Sequence, residues 1–136
     1  MKKMVVLMVL LLLVGCSEGI KTEVKTFEFA GEIRKIIVIG RGANIEFNKR
    51  EIENTVEINV MKDAMQNAII LSGRHTDEGP LYELEVIYEN GSKDKIDLWI
   101  YASTNTGRFY LNDMYSLNEG AIPAFIKLFD SYKEVR

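Results

Sequence analysis

Thiol and imidazole are the scarcest reactive groups in this chain, with Cys16 the only cysteine and His75 the only histidine. A Ser-His-Asp triad would have to use His75, and no G-x-S-x-G elbow accompanies it. In Arg74-His75-Thr76-Asp77-Glu78 the imidazole stands next to carboxylates, the donor types that can hold a divalent metal. Loops of that composition are usually just solvated, so an envelope hydrolase or metal-dependent enzyme built on His75 is the alternative reading. Two carboxylate pairs, Glu83 with Glu85 and Asp94 with Asp97, have the chemistry of glycoside hydrolysis. Alternation instead puts Glu83 and Glu85 on the solvated face of a strand. Gly40-Arg41-Gly42 is too short for a phosphate loop and lacks the G-K-[ST] ending, so it reads as a turn. Asn90-Gly91-Ser92 spells a glycosylation sequon that a hairpin turn already explains. No catalytic set and no cofactor or metal is expected.

Cys16 is set apart by what precedes it. Lys2 and Lys3 are followed by eleven apolar residues, Met4 to Val14, and then by Gly15. A membrane-spanning helix needs about 17 to 25 such residues; a positive start, a short apolar run and a small residue form an export signal. Leu13-Val14-Gly15-Cys16 resembles a bacterial lipobox, which implies a diacylglyceryl group on the thiol, cleavage before the cysteine and an acylated new N-terminus. The expected organisation is a signal peptide over 1–15, a lipidated cysteine and short tether over 16–25, and one domain over 26–136. Two acyl chains exceed the single chain that gives only marginal binding, so the membrane is the first partner, held through Cys16. The tether has no Gly/Ser or Pro-rich spacer, and at about 3.3–3.6 Å per extended residue it keeps the domain near the bilayer. The expected location is the extracytoplasmic face of the cell membrane.

The chain carries a net charge of −3, and loss of Lys2 and Lys3 with the leader would take it to −5. That sign argues against nucleic acid or anionic lipid as the main partner. No cysteine follows Cys16, so the domain has no disulfide and must be held by packing.

The elements follow from periodicity. Val24 to Phe29 predicts a first edge strand, with Phe27 and Phe29 on one face. Ile33-Arg34-Lys35-Ile36-Ile37-Val38-Ile39 is rich in β-branched residues and predicts a strand. Ile45 and Phe47 alternate with Glu46 and Asn48, a second strand continuing to about Ile52. Asn54 then caps a helix in which Ile58, Met61, Met65, Ala68 and Ser72 step by three or four, about four turns ended by Gly73. Its methionines read as core filling.

After the polar loop around His75, Tyr82, Leu84 and Val86 alternate with glutamates, and Ile96, Leu98 and Ile100 alternate beyond Asn90-Gly91, giving a hairpin. A two-residue loop would mix the faces. A three-residue loop, Glu89-Asn90-Gly91 with Gly91 at positive φ, pairs Tyr82 with Leu98, Leu84 with Ile96 and Glu85 with Lys95. Glu83 then faces Asp97, at a cost of a few tenths of a kcal/mol unless a cation lies beside it. Ser103 to Gly107 is a turn cluster, and Arg108 to Leu111 returns as a strand. Ile122, Phe125, Ile126 and Phe129 predict a last helix ending near Ser131, with Pro123 in its first turn. The expected fold class is α+β, a mainly antiparallel sheet with two amphipathic helices packed on one face.

Leu81-Tyr82-Glu83-Leu84-Glu85-Val86-Ile87-Tyr88-Glu89-Asn90-Gly91, Ile96-Asp97-Leu98-Trp99-Ile100 and Thr104-Asn105-Thr106-Gly107 resemble the YhfM-like domain of small lipoproteins from Bacillus-type, Gram-positive bacteria. The resemblance spans about residues 33 to 130 and brings no catalytic residues. This chain departs from the pattern by an extended stretch around Arg41 to Arg50. The resemblance implies a domain that faces outward from the cytoplasmic membrane, while the anchor, the short tether, the acidic charge and the missing catalytic set point to a non-enzymatic module of the cell envelope that binds or assists an envelope protein, peptide or glycan. The candidate binding surface is the hairpin's outward face. There Trp99 and Tyr101, beside Glu83 and Glu85, would serve as aromatic anchors unless the N-terminal strand or the last helix covers them.

Overall fold

The computed structural model describes residues 25–42, 49–72 and 78–133. The signal sequence, Cys16, Ile45, Phe47, His75 and Asp77 lie outside them, so the expectations placed on those residues lie outside them too. In chain order the elements are β1 (Ile33–Gly40), β2 (Arg50–Ile52), α1 (Thr55–Met65), β3 (Tyr82–Tyr88), β4 (Lys93–Tyr101), β5 (Thr106–Leu111), β6 (Asp113–Ser116), a 3₁₀ turn (Glu119–Ala121) and α2 (Ile122–Lys133). The strands make one sheet in the order β2-β1-β3-β4-β5-β6, antiparallel at every pairing.

Period-two patterning gives the sheet two unlike faces. On one, Ile36 and Val38 stand opposite Val86 and Leu84, Leu84 stands opposite Ile96, and Leu98 stands opposite Phe109. These residues share a single buried cluster with Ile58, Met61 and Met65 of α1 and with Ile122, Phe125 and Phe129 of α2. Both helices therefore cover this face. Each buried side chain of this size contributes about 1.5–3 kcal/mol relative to exposure. Met61 and Met65 are core filling, as expected. Pro123 is the second residue of α2, where its missing N–H has no helical partner to lose.

The hairpin has the expected register, with Tyr82 opposite Leu98, Glu83 opposite Asp97, Leu84 opposite Ile96 and Glu85 opposite Lys95. Gly91 sits at φ 87° and donates its N–H to the Tyr88 carbonyl at 2.9 Å, while Tyr88 donates to the Ser92 carbonyl at 2.9 Å. The Asn90 side chain closes the turn by accepting from Ser92 N and Oγ at 2.9 and 2.6 Å.

Three expectations are corrected. The first helix ends at Met65 rather than near Gly73. Asn54 caps its start, accepting from Val56 N and Glu57 N at 2.8 and 3.3 Å. At the other end Asn67 adopts φ 64°, a left-handed conformation that asparagine tolerates. Asn118, far along the chain, donates its side-chain amide to the Asp63 and Gln66 carbonyls at 2.9 and 3.3 Å. These contacts satisfy helix-end carbonyls and free the chain to leave extended.

That departing segment lies beside β6: Leu71 N donates to Met114 O at 2.8 Å, Ser116 N to Ile69 O at 3.0 Å, and Ile70 bridges Tyr115. Second, Val24 to Phe29 does not form a strand within its described residues, making one bridge, Thr26 to Ile69. Phe27 is nonetheless locked into the core, edge-on to Phe109 and Tyr115 with centroids 4.8 and 5.3 Å away. Third, β6 is a strand where none was expected, joined to β5 through Asn112 at φ 63°.

Candidate functional site

The sheet face away from the helices, here the open face, carries every described residue of the expected binding surface. Its centre is Glu83 on β3. Arg41, one residue beyond β1, donates from Nε and Nη2 to Glu83 Oε2 at 2.9 and 2.8 Å, and Lys95 Nζ lies 3.0 Å from Oε1. Glu83 is thus buried rather than solvated, which corrects the sequence reading. Burial pushes its carboxyl pKa up, but the hydrogen bonds and charges of Lys95 and Arg41 outweigh that and hold it below the ordinary carboxylate value. They also offset the repulsion from Asp97 opposite. Glu85 is reached diagonally by Lys93 at 3.3 Å, so each glutamate has a lysine partner two residues from the one directly across.

Trp99 points to the open face, as alternation from Leu98 requires, but only 6% of it is exposed. Of the two outcomes the sequence leaves open for the indole, exposed or covered, the structure has it covered. The segment at Glu78 crosses it, with Trp99 Nε1 donating to the Glu78 carbonyl at 3.1 Å. The Arg108 guanidinium, on the residue paired with Trp99, lies over the ring 5.0 Å from its centroid. Tyr101 is half-buried and donates its hydroxyl to Glu78 Oε2 at 2.7 Å. Burial, followed by that hydrogen bond, raises its pKa.

Of the other sequence candidates, Asp94 and Asp97 fall on opposite faces by alternation and cannot act as a pair. Asp94 instead accepts from the Tyr88 hydroxyl at 2.6 Å. Among the described residues, no cluster of three His, Cys, Asp or Glu side chains suited to a metal is present, and no helix is long and apolar enough to cross a membrane.

Arg41, Glu78 and Arg108 are the site residues that the sequence reading did not single out for this face. Arg41 had a signal: continuing the period of Lys35, Ile37 and Ile39 by one step puts it on the Glu83 side. Beyond Tyr101 the face opens into a shallow recess of about 180 Å³, lined by Leu71, Tyr101, Thr106, Gly107, Arg108 and Ser116.

The fold and this face define a small α+β domain in which a helix-covered antiparallel sheet presents an ion-paired outer surface. The family model described as YhfM protein matches residues 30–134, and the chain belongs to that family. No curated protein and no solved structure matches it.

Proposed function

We propose that this chain is a lipid-anchored lipoprotein on the extracytoplasmic face of the cell membrane, acting as a non-enzymatic binding or accessory module of the envelope. The observation that carries the reading is Leu13-Val14-Gly15-Cys16 behind Lys2, Lys3 and an eleven-residue apolar run. Membership of the YhfM family supports it through the lipoprotein context that the sequence resemblance implies. The open face favours binding over turnover. Glu83 is ionised and held by two cations, which suits a structural carboxylate rather than a proton donor. The partner is an envelope protein, peptide or glycan that meets the half-buried rim around Tyr101 and Glu85.

The test is Cys16→Ser in the native host, followed by membrane fractionation and mass spectrometry of the N-terminal peptide. The expected result is a diacylglyceryl-modified Cys16 in the wild type, globomycin-sensitive processing, and loss of both in the variant. Unchanged membrane retention of the serine variant, or an unmodified cysteine in the wild type, overturns the reading.

A further inference from the structure

The open face has a second region that the ion-paired centre does not explain. Ile70 bridges Tyr115 and packs on the core, so its neighbours Ile69 and Leu71 point to the open face. There they are 59% and 36% exposed, and Tyr110, paired with the half-buried Met114 on the same face, is 45% exposed. Two aliphatic side chains, a methionine and a tyrosine thus form one patch on the outer end of the sheet.

The position of the tether says what this patch meets. The described chain starts at Lys25, which is ion-paired with Asp113 at the start of β6, and Thr26 bridges Ile69 itself. The tether therefore enters the domain beside the patch. Cys16 is nine residues before Lys25, a reach of at most about 32 Å even when fully extended. Any lipid on Cys16 keeps this point of entry, and with it the patch beside it, within that reach of the bilayer. Tyrosine and aliphatic side chains are the types that settle at the boundary between headgroups and acyl chains. Asp113, at the point of entry, is ion-paired with Lys25.

We infer that the Ile69, Leu71, Tyr110 and Met114 patch docks onto the membrane interface, so that the lipid anchor and the sheet end together fix the domain's orientation, with the helical layer turned away from the bilayer. The inference rests on the lipoprotein reading. The contact is apolar rather than electrostatic, in keeping with the acidic charge of the domain.

The experiment uses the full acylated chain in vesicles of phosphatidylethanolamine and phosphatidylglycerol. A polarity-sensitive fluorophore is placed on single cysteines introduced as Ile69→Cys, Tyr110→Cys and, as the control, Val56→Cys, which is 72% exposed on α1. All three sites are exposed, and circular dichroism checks that each variant folds. Acylation of Cys16 is verified by mass spectrometry on the same samples.

The expected result is a blue shift at positions 69 and 110, with loss of emission to doxyl-labelled lipids, neither seen at 56 and both insensitive to salt. A lipidated chain whose label at 69 is as water-exposed as that at 56 overturns the docking alone. Shielding from aqueous quencher without quenching by doxyl lipids shows a protein partner or a second copy on the patch, and overturns it as well. A Cys16 without lipid overturns the anchor and the docking together.

Discussion

Tyr88→Phe tests the structure through a sign reversal that packing alone cannot produce. Tyr88 is buried at the end of β3, where its hydroxyl donates to Asp94 Oδ2 at 2.6 Å and accepts from Ala30 N at 3.2 Å. Phenylalanine keeps the ring and removes both bonds. A hydrogen bond to a charged group is worth about 1.5–3 kcal/mol, and Asp94 and Ala30 are accessible enough to regain water, so the expected loss at neutral pH is about 1.5 kcal/mol.

The hydroxyl's pKa is pushed up from 10.0 to about 12, by burial first and by the Asp94 hydrogen bond and charge next, against a lowering from Ala30. A raised pKa means that the folded state keeps a proton the unfolded chain has already released. The Tyr88 contribution is therefore whole below pH 10 and falls by about 1.4 kcal/mol per pH unit from there toward pH 12. The phenylalanine variant lacks that slope, so the two proteins should be equally stable near pH 11, and above it the variant should be the more stable. Urea unfolding followed by circular dichroism, at steps from neutral pH into this range, reads the difference. The remaining tyrosines and the lysines titrate in both proteins and cancel. A stability difference that stays constant across the alkaline range refutes the Tyr88–Asp94 arrangement.

Trp99→Ala should cost about 3 kcal/mol, close to the loss expected for Leu98→Ala on the other face, because the indole is covered and its N–H is bonded to Glu78; a loss under 1 kcal/mol in urea unfolding counts against that cover. For Glu83→Gln the sign is acidic. With its folded pKa lowered below the ordinary 4.5, Glu83 contributes stability that is present above the unfolded value and is lost as pH falls through the folded one, so the wild type should lose stability faster than the glutamine variant on acidification, and parallel curves refute the clamp.

What could be read from sequence was local. The hairpin register followed from Asn90-Gly91 and the requirement that Leu84, Ile96 and Leu98 share a face, because each one-residue slip inverts every side chain. The end of α1 could not be read the same way. Ala68 keeps the helical spacing and is buried, but its burial comes after a left-handed turn at Asn67 that is supported by Asn118 and Phe27. Gly107 sat in a run of turn residues, yet it is inside β5, where a Cβ would come within 2.4 Å of Leu117 Cδ1. The cover over Trp99 is non-local in the same sense. It needs Glu78 to cross the strand and Arg108 to lie on the indole, and neither residue carries a mark of that in its own neighbourhood.

The consequence for function is that the most conspicuous residues of the open face are its least available ones. A partner that used Glu83 would have to displace Arg41 and Lys95 from a carboxylate with little access to water, leaving that charge unpaired unless the partner brought a cation of its own. A partner that used the indole would first have to lift the Glu78 segment, giving up the bonds to Trp99 and Tyr101. The ion-paired centre therefore works as a rigid support. Contacts that need no internal bond broken are at the rim, where Tyr101 borders the recess, and at the sheet end, where Ile69 and Tyr110 are exposed.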